Sequence, residues 1–262
     1  MFARSVILPC FCRRDFHVHT RYSDCGQPEA TPEAMVQAAR EAGLEALGIA
    51  DHVIFPHDRS RPAMVRQQLP QEADGLRLYV GCEADMQSPT RCTIDPEFAA
   101  DLDFVVMAAS HLYLPGVELP PDLDPPAMAA FILQLTEAAL RTGLTDIIAH
   151  PFVVPSGPWG FEELVGAADP AAIDRVAQMA AREGVAMELN PKQVRITPDA
   201  AGWFYRRLLE VGVKLAVNSD AHHPRDVGCR SEKYAGEEEL REVGLTEDCL
   251  WRIEDRAETN RR

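Results

Sequence analysis

The chain of 262 residues is 46% apolar and 26% charged, an ordinary mixture for a folded protein with room for a sizeable core. Its 26 basic and 41 acidic residues leave a formal charge of −15, which repels polyanions and argues against an extended nucleic-acid track or an anionic membrane surface. No uninterrupted apolar run approaches the roughly 20 residues of a membrane helix.

At the N terminus, Ser5-Val6-Ile7-Leu8-Pro9 is too short for the apolar core of a secretion signal, and Arg13-Arg14 follow with no small-residue cleavage site. The 7 cysteines are scattered and odd in number, which predicts reduced thiols and a cytoplasmic location. Cys10 and Cys12 read as small residues beside a strand. That strand, residues 13–16, ends on His17. A helix follows behind Thr31-Pro32, with Met35, Ala38, Ala39 and Ala42 on one face, and Gly43 ends it. Residues 44–50 form the next apolar run and deliver Asp51-His52. Gly75 precedes the run 76–82, which leads to Glu83, and the run 104–109 leads to Ser110-His111. Gly143 precedes the run 144–149, which delivers His150.

A second helix, with Ile173, Val176, Ala177 and Ala180 behind Asp169-Pro170, ends at Gly184 before the run 185–187 and Glu188. A third, with Ala200, Phe204, Leu208 and Val211 behind Thr197-Pro198, ends at Gly212. The run 213–218 then leads to Ser219-Asp220-Ala221-His222. Seven short apolar strands, alternating with helices and each delivering a polar residue, predict an α/β chain. The expected architecture is one domain over residues 1–262, a (β/α) barrel of seven units with its chemistry at the C-terminal strand ends. The irregular stretches 112–126 and 151–160 follow histidine-bearing strand ends and should shape a pocket. Residues 231–262 read as charged terminal helices forming a solvated face.

Of 8 histidines, six occupy predicted strand ends: His17, His19, His52, His111, His150 and His222. The carboxylates Asp24, Glu83 and Asp220 hold matching positions. His17 and His19 are two apart in an extended segment, so both face one side and can grip one ion. Imidazole with carboxylate suits zinc, manganese or iron, and the absence of cysteine from these positions argues against a purely structural zinc. A buried, satisfied pair would explain one His-x-His alone; it does not explain six strand-end histidines.

Asp15-Phe16-His17-Val18-His19-Thr20 with Ser23-Asp24, Ala50-Asp51-His52, Gly81-Cys82-Glu83 and Ser110-His111 form an ordered set of motifs. Ala149-His150-Pro151, Glu188-Leu189-Asn190 and Asn218-Ser219-Asp220-Ala221-His222 continue it. From Asp15 to about Gly228 the chain resembles the PHP family, named for polymerase and histidinol phosphatase. The resemblance implies a distorted, TIM-like barrel of seven strands and a centre of two or three metal ions. His17, His19 and Asp220 would hold the first ion, with Glu83 bridging to a second that His111 and His150 complete. Asp24, His52 and His222 would hold a third. The implied activity is metal-dependent phosphoester hydrolysis through a hydroxide shared by the ions, with Glu83, Asp220 and His222 as catalytic residues. Three divalent ions outweigh three ligand carboxylates, which reconciles an acidic protein with a phosphate substrate.

Asp15, Asp51 and Asn190 flank these ligands, either to orient imidazoles or as ordinary rim hydrogen bonds. Arg195 and Arg225 are candidates to grip the substrate phosphate, or else are solvated. His57 and His223 read as surface residues, Trp159 as a pocket wall or a loop anchor, and Cys25 as a small turn residue and not a ligand. The expected substrate is a small phosphate monoester: histidinol phosphate, a nucleotide or a sugar phosphate. Many histidinol phosphatases of the family carry histidine where this chain has Asp24, and Ser-Asp is typical of other branches. A nuclease trimming short oligonucleotides is the enzymatic alternative. It would need a basic, aromatic-lined groove, for which Arg59, Arg61 and Arg66 are the local candidates. Amidohydrolase-type C–N hydrolysis uses a similar His-x-His barrel without the third ligand group. A metal-stabilised regulatory domain is the non-enzymatic alternative.

Overall fold

Helix starts and stops follow the sequence signals closely. In the computed structural model, which describes residues 10–70 and 73–258, the chain opens with β1 (Arg14–Val18), α1 (Pro32–Ala42), β2 (Ala46–Ile49), β3 (His52–Val53) and α2 (Arg61–Gln68). Next come β4 (Arg77–Val80), β5 (Cys82–Ser88), β6 (Arg91–Cys92), α3 (Pro96–Ala100), β7 (Val105–Ala108), α4 (Pro125–Arg141) and β8 (Ile147–Ala149). The remainder is α5 (Phe161–Ala167), α6 (Pro170–Glu183), β9 (Ala186–Leu189), α7 (Pro191–Ile196), α8 (Pro198–Val211), β10 (Leu215–Val217) and α9 (Glu237–Glu242). Thr31 caps α1 by accepting from the Ala34 amide at 3.1 Å, with Pro32 in the first turn. Gly184 ends α6 with φ 68°, a left-handed cap that costs glycine nothing. The Ser5–Pro9 stretch lies outside the described residues, as does the side chain of Cys10.

The architecture is α/β with parallel sheets. β10, β9, β8, β7, β5 and β3 pair in that order, all parallel, and the short β6 adds antiparallel to β5. β1, β2 and β4 form a second parallel sheet. β2 continues into β3 across Ala50-Asp51, and β4 into β5 across Gly81. The Gly81 amide donates to Ile49 O at 2.9 Å and the Glu83 amide to Asp51 O at 3.1 Å, carrying the pairing across both breaks. Only glycine fits at 81, because a Cβ there would lie 2.4 Å from Phe104 O. At the other edge Val18 and Ala221 form a parallel bridge, with the His19 amide donating to Ala221 O at 2.8 Å.

Short strands and small residues leave room for an inner aromatic cluster. Phe16 meets Phe104 and Trp251 edge-on at 5.3 and 5.1 Å, among Ala46, Ala108, Ala149, Ala186 and Ala216. The larger core packs α4, α5, α6 and α8 against the outer faces of the sheet strands. The predicted helix faces are buried at Met35, Ile173, Ala177, Ala180, Phe204 and Leu208. The terminal segment differs from the expected solvated helices. Through Glu258 it holds α9 and two 3-10 turns, and it buries Leu240, Leu245, Leu250 and Trp251. The Trp251 amide donates to Leu215 O at 2.9 Å, so this segment closes over the start of β10. Leu250→Ala is therefore expected to cost about 2 kcal/mol or more in denaturant unfolding, far above a solvated-face substitution. Among the described residues no helix is long and apolar enough to cross a membrane.

Candidate metal centre

Glu83, at the start of β5 and 1% exposed, stands at the middle of a ring of imidazoles. Its Oε2 lies 3.2 Å from His17 Nε2, 3.4 Å from His19 Nε2 and 3.0 Å from His52 Nδ1. Its Oε1 lies 3.2 Å from His150 Nε2 and 3.7 Å from His111 Nε2. Asp220 follows β10 in a left-handed conformation (φ 51°) that aspartate tolerates, with Oδ1 3.3 Å from His19 Nε2 and 3.8 Å from His17 Nε2. The His222 ring stacks on His19 at 4.5 Å. The structure thus brings His17, His19, His52, Glu83, His111, His150, Asp220 and His222 together. Asp24 stands apart: its side chain is 79% exposed and faces Arg61 at 3.4 Å.

Acceptors around the rings fix which nitrogen is bare. His17 Nδ1 donates to Glu188 Oε2 at 2.6 Å and His111 Nδ1 to Asp85 Oδ1 at 2.6 Å. His222 Nδ1 donates to Asp220 O at 2.9 Å. Ser23 Oγ gives its proton to Asp51 and so accepts from His19 Nδ1 at 3.3 Å. Ser110 Oγ lies 3.3 Å from His150 Nδ1. With Nδ1 occupied, Nε2 is the nitrogen these rings turn to the centre, the usual arrangement for a metal-ligating histidine. The buried Nε2 atoms of His17 and His19, and Nδ1 of His52, have no hydrogen-bond partner. Unpartnered nitrogens facing two carboxylates fit divalent cations.

The electrostatics agree. Burial alone would raise Glu83, but His52, His17 and His111 hold it well below the ordinary carboxylate range. Burial opposes ionisation of Asp220 too, and the His19 hydrogen bond with the charges of His17 and His222 overcomes it. Burial pushes His17 and His52 down, yet Glu188 and Glu83 raise the first, and Glu83 the second, well above the usual value. His19, buried among other imidazoles, falls to about 3. Burial raises the Cys25 thiol, but contacts with His222 and His52 outweigh it and lower the pKa. Rings protonated on account of carboxylate neighbours are rings from which a cation displaces protons.

A cavity of about 470 Å³ opens over this cluster. Tyr113 and Leu114 wall one side and Val153, Pro155 and Ser156 another, so both irregular stretches line it. Lys192, near the start of α7, reaches its rim. Arg195 does not line it: its guanidinium pairs with Glu239 at 2.7 Å. Arg225 is exposed within the 3-10 turn Pro224–Cys229, also off the cavity lining. Trp159 is a loop anchor, its Nε1 donating to Leu123 O at 3.0 Å across the two irregular stretches. Arg59, Arg61 and Arg66 pair with Asp95, Asp58 and Asp103, so they form no free basic groove.

Asp15 binds Ser219 and Gly228, and Asn190 caps α7, both as structural hydrogen bonds. Asp51 acts through Ser23, which touches His19 and also accepts from the His52 amide at 2.9 Å. His57 and His223 remain outside the cluster. Sequence reasoning missed Asp85 and Glu188 as the partners of His111 and His17, and Lys192 on the rim. It also missed Cys25, whose sulfur lies with nitrogens of His19 and His52 inside a span of 4.8 Å.

Residues 15–192 match the PHP domain family. A Deinococcus radiodurans protein named probable histidinol-phosphatase is 30% identical over 253 residues, covering 88% of this chain and 93% of its own. A probable phosphatase of Shewanella piezotolerans is 27% identical over 218 residues, covering 79% and 77%. A solved chain from work on the metal-dependent tyrosine phosphatases YwqE of Bacillus subtilis and CpsB of Streptococcus pneumoniae shares the fold. It is 17% identical, with a TM-score of 0.52 over 88% of this chain and 85% of that one. A family match over residues 15–192, and a relative aligned along 88% of the sequence, establish that the chain belongs to the PHP family.

Proposed function

We propose that this PHP-family chain, a hydrolase of phosphoric esters, cleaves a small phosphate monoester at the cluster around Glu83. The observation that carries this reading is the set of imidazoles with occupied Nδ1 and with Nε2 turned toward the two oxygens of one buried carboxylate. His17, His19, Asp220 and Glu83 would hold one cation and Glu83, His111 and His150 a second. Zinc, manganese and iron fit these donors. When bound, such ions activate water and neutralise developing charge on a phosphoryl group. Glu83 presents one oxygen to each side, while Glu188 and Asp85 keep the His17 and His111 rings in register.

A cavity of about 470 Å³ with apolar walls suits a compact monoester better than a polymer. The relation to the Deinococcus protein makes histidinol phosphate the first compound to test, ahead of nucleotides and sugar phosphates. The aromatic cluster draws Phe16 and Ala46 from one sheet and Phe104, Ile147, Ala186 and Ala216 from the strand path of the other. With the Val18–Ala221 bridge, this supports closure of the two sheets into one seven-stranded barrel domain.

The test is phosphate release by metal-loaded protein from a panel of monoesters, with diesters alongside. Turnover of a monoester supports the reading. Retained metal with no turnover on any ester favours the regulatory-domain alternative. Lys192, the cationic side chain on the rim, is assigned to the substrate phosphate in place of Arg195 and Arg225. Lys192→Ala is expected to raise KM about tenfold with kcat nearly unchanged, as for loss of uniform binding. Arg195→Ala should leave both constants as they are, because its partner is Glu239.

A further inference from the structure

We infer that the thiolate of Cys25, and not the carboxylate of Asp24, binds a cation with His52, beside His19, at the outer end of the centre. One donor atom each from His19, Cys25 and His52 lies within 4.8 Å of the others, a span that one ion bridges. Cys25, His52 and His222 line the same cavity over the centre. An independent sign of a missing partner is His52 Nδ1, a buried atom without a hydrogen bond, on a ring that stacks on His19.

The backbone explains why residue 25 points in and residue 24 out. The Ser23 amide donates to Thr20 O at 3.1 Å, the Gly26 amide to Ser23 O at 2.9 Å and the Gln27 amide to His222 O at 3.2 Å. This tight turn requires glycine at 26, since a Cβ there would sit 1.9 Å from Thr20 O. Asp24 is left on the outside against Arg61, which is itself 8% exposed and fixed by Asp58 at 2.9 Å and by His52 O at 2.8 Å. A soft thiolate donor favours zinc, cobalt or iron over magnesium or manganese, so this position would select a thiophilic ion where the remaining imidazole–carboxylate positions accept harder ones.

The inference rests on the metal-centre reading above, and its test reads the thiol directly and not turnover. Full-length chain freed of metal is reconstituted with cobalt(II), and its near-ultraviolet thiolate-to-cobalt absorption is recorded together with the cobalt content. The native chain should show the band. Cys25→Ser should lose it and one cobalt per chain, and Asp24→Asn should keep both. No band in the native chain, or a band that survives in Cys25→Ser, overturns the proposal. A measurement on native protein alone guards against a misfolded variant. Zinc should slow alkylation of Cys25, mapped by mass spectrometry, at least about tenfold, because a coordinated thiolate is withdrawn from attack. Equal rates with and without zinc overturn the proposal as well. Absence of phosphatase activity with the cobalt band present would overturn only the substrate reading.

Discussion

Glu83→Ala is expected to lower kcat by at least about three orders of magnitude, beyond the loss typical of removing one stabilising group. Both carboxylate oxygens are in use, Oε2 toward His17, His19 and His52, and Oε1 toward His150 and His111. Truncation removes the anion common to both sides, so attack and charge stabilisation fail together, and KM should move far less than kcat. It also leaves buried rings without the charge that offsets their protonation, so the metal-free variant should be less stable than the metal-free parent. Glu83→Gln separates charge from shape: it retains the side-chain volume and should lose nearly as much activity. Metal analysis of each variant completes the measurement. Near-normal turnover in Glu83→Ala with its metals retained would contradict the bridging role.

Stripping the ions with a chelator is expected to abolish turnover and to lower the melting temperature by roughly 10 °C. One ion present at about a thousand times its Kd contributes about 4 kcal/mol, and a chain of this size shifts by about 2–4 °C per kcal/mol. The pH dependence has a definite sign. His17, His52, His150 and His222 are raised above 6.5 in the ion-free fold, so their stabilisation is present below that value and is lost as pH rises through their folded pKa. His19, lowered to about 3, works oppositely: its contribution is present above 6.5 and is lost as pH falls toward 3. The raised rings outnumber the lowered one, so the ion-free chain should weaken as pH rises from ~6 to ~8. The loaded chain gains over the same range, because ligands that need not shed protons bind metal more tightly. The melting-temperature gap between the two forms should therefore widen with pH. A constant gap would mean that the ions do not displace protons from these rings.

The alternation of strand and helix was legible because each strand is short, apolar and followed by a polar residue, and that pattern needs no tertiary knowledge. Asp85 was missed because the sequence places a strand end at Cys82. The strand in fact continues to Ser88, with Cys82, Ala84 and Met86 in the core and Glu83 and Asp85 among the histidines. Glu188 was visible as a strand-end acid, but its partner His17 lies 171 residues away, a pairing that no local period encodes. α4 left no clear periodic signal because it is apolar nearly all round, packed between α5, α6 and the sheet. The terminal segment misled by composition: its acidic residues are many, while the few apolar ones, Leu240, Leu250 and Trp251, do the packing. Cys25 was hidden because its direction depends on the close approach of Gly26 to Thr20, a matter of ångströms and not of residue type. Arg195 lies off the cavity lining and pairs with Glu239, 44 residues on, a contact that the sequence does not show.

The join between the first and last strands sets when the centre can exist. His17 and His19 leave β1, while Asp220 and His222 follow β10, and Asp15 holds Ser219 across 204 residues of chain. Trp251 then packs on Phe16 from near the far terminus. A ribosome that has made two-thirds of this protein has exposed His17, His19, His52, Glu83, His111 and His150 with neither Asp220 nor the residues that seal the inner aromatic cluster. Long-range closure of this kind is slow and comes at the end of folding. The full set of candidate ligands thus comes together only at the end of folding, once the last strand has closed against the first.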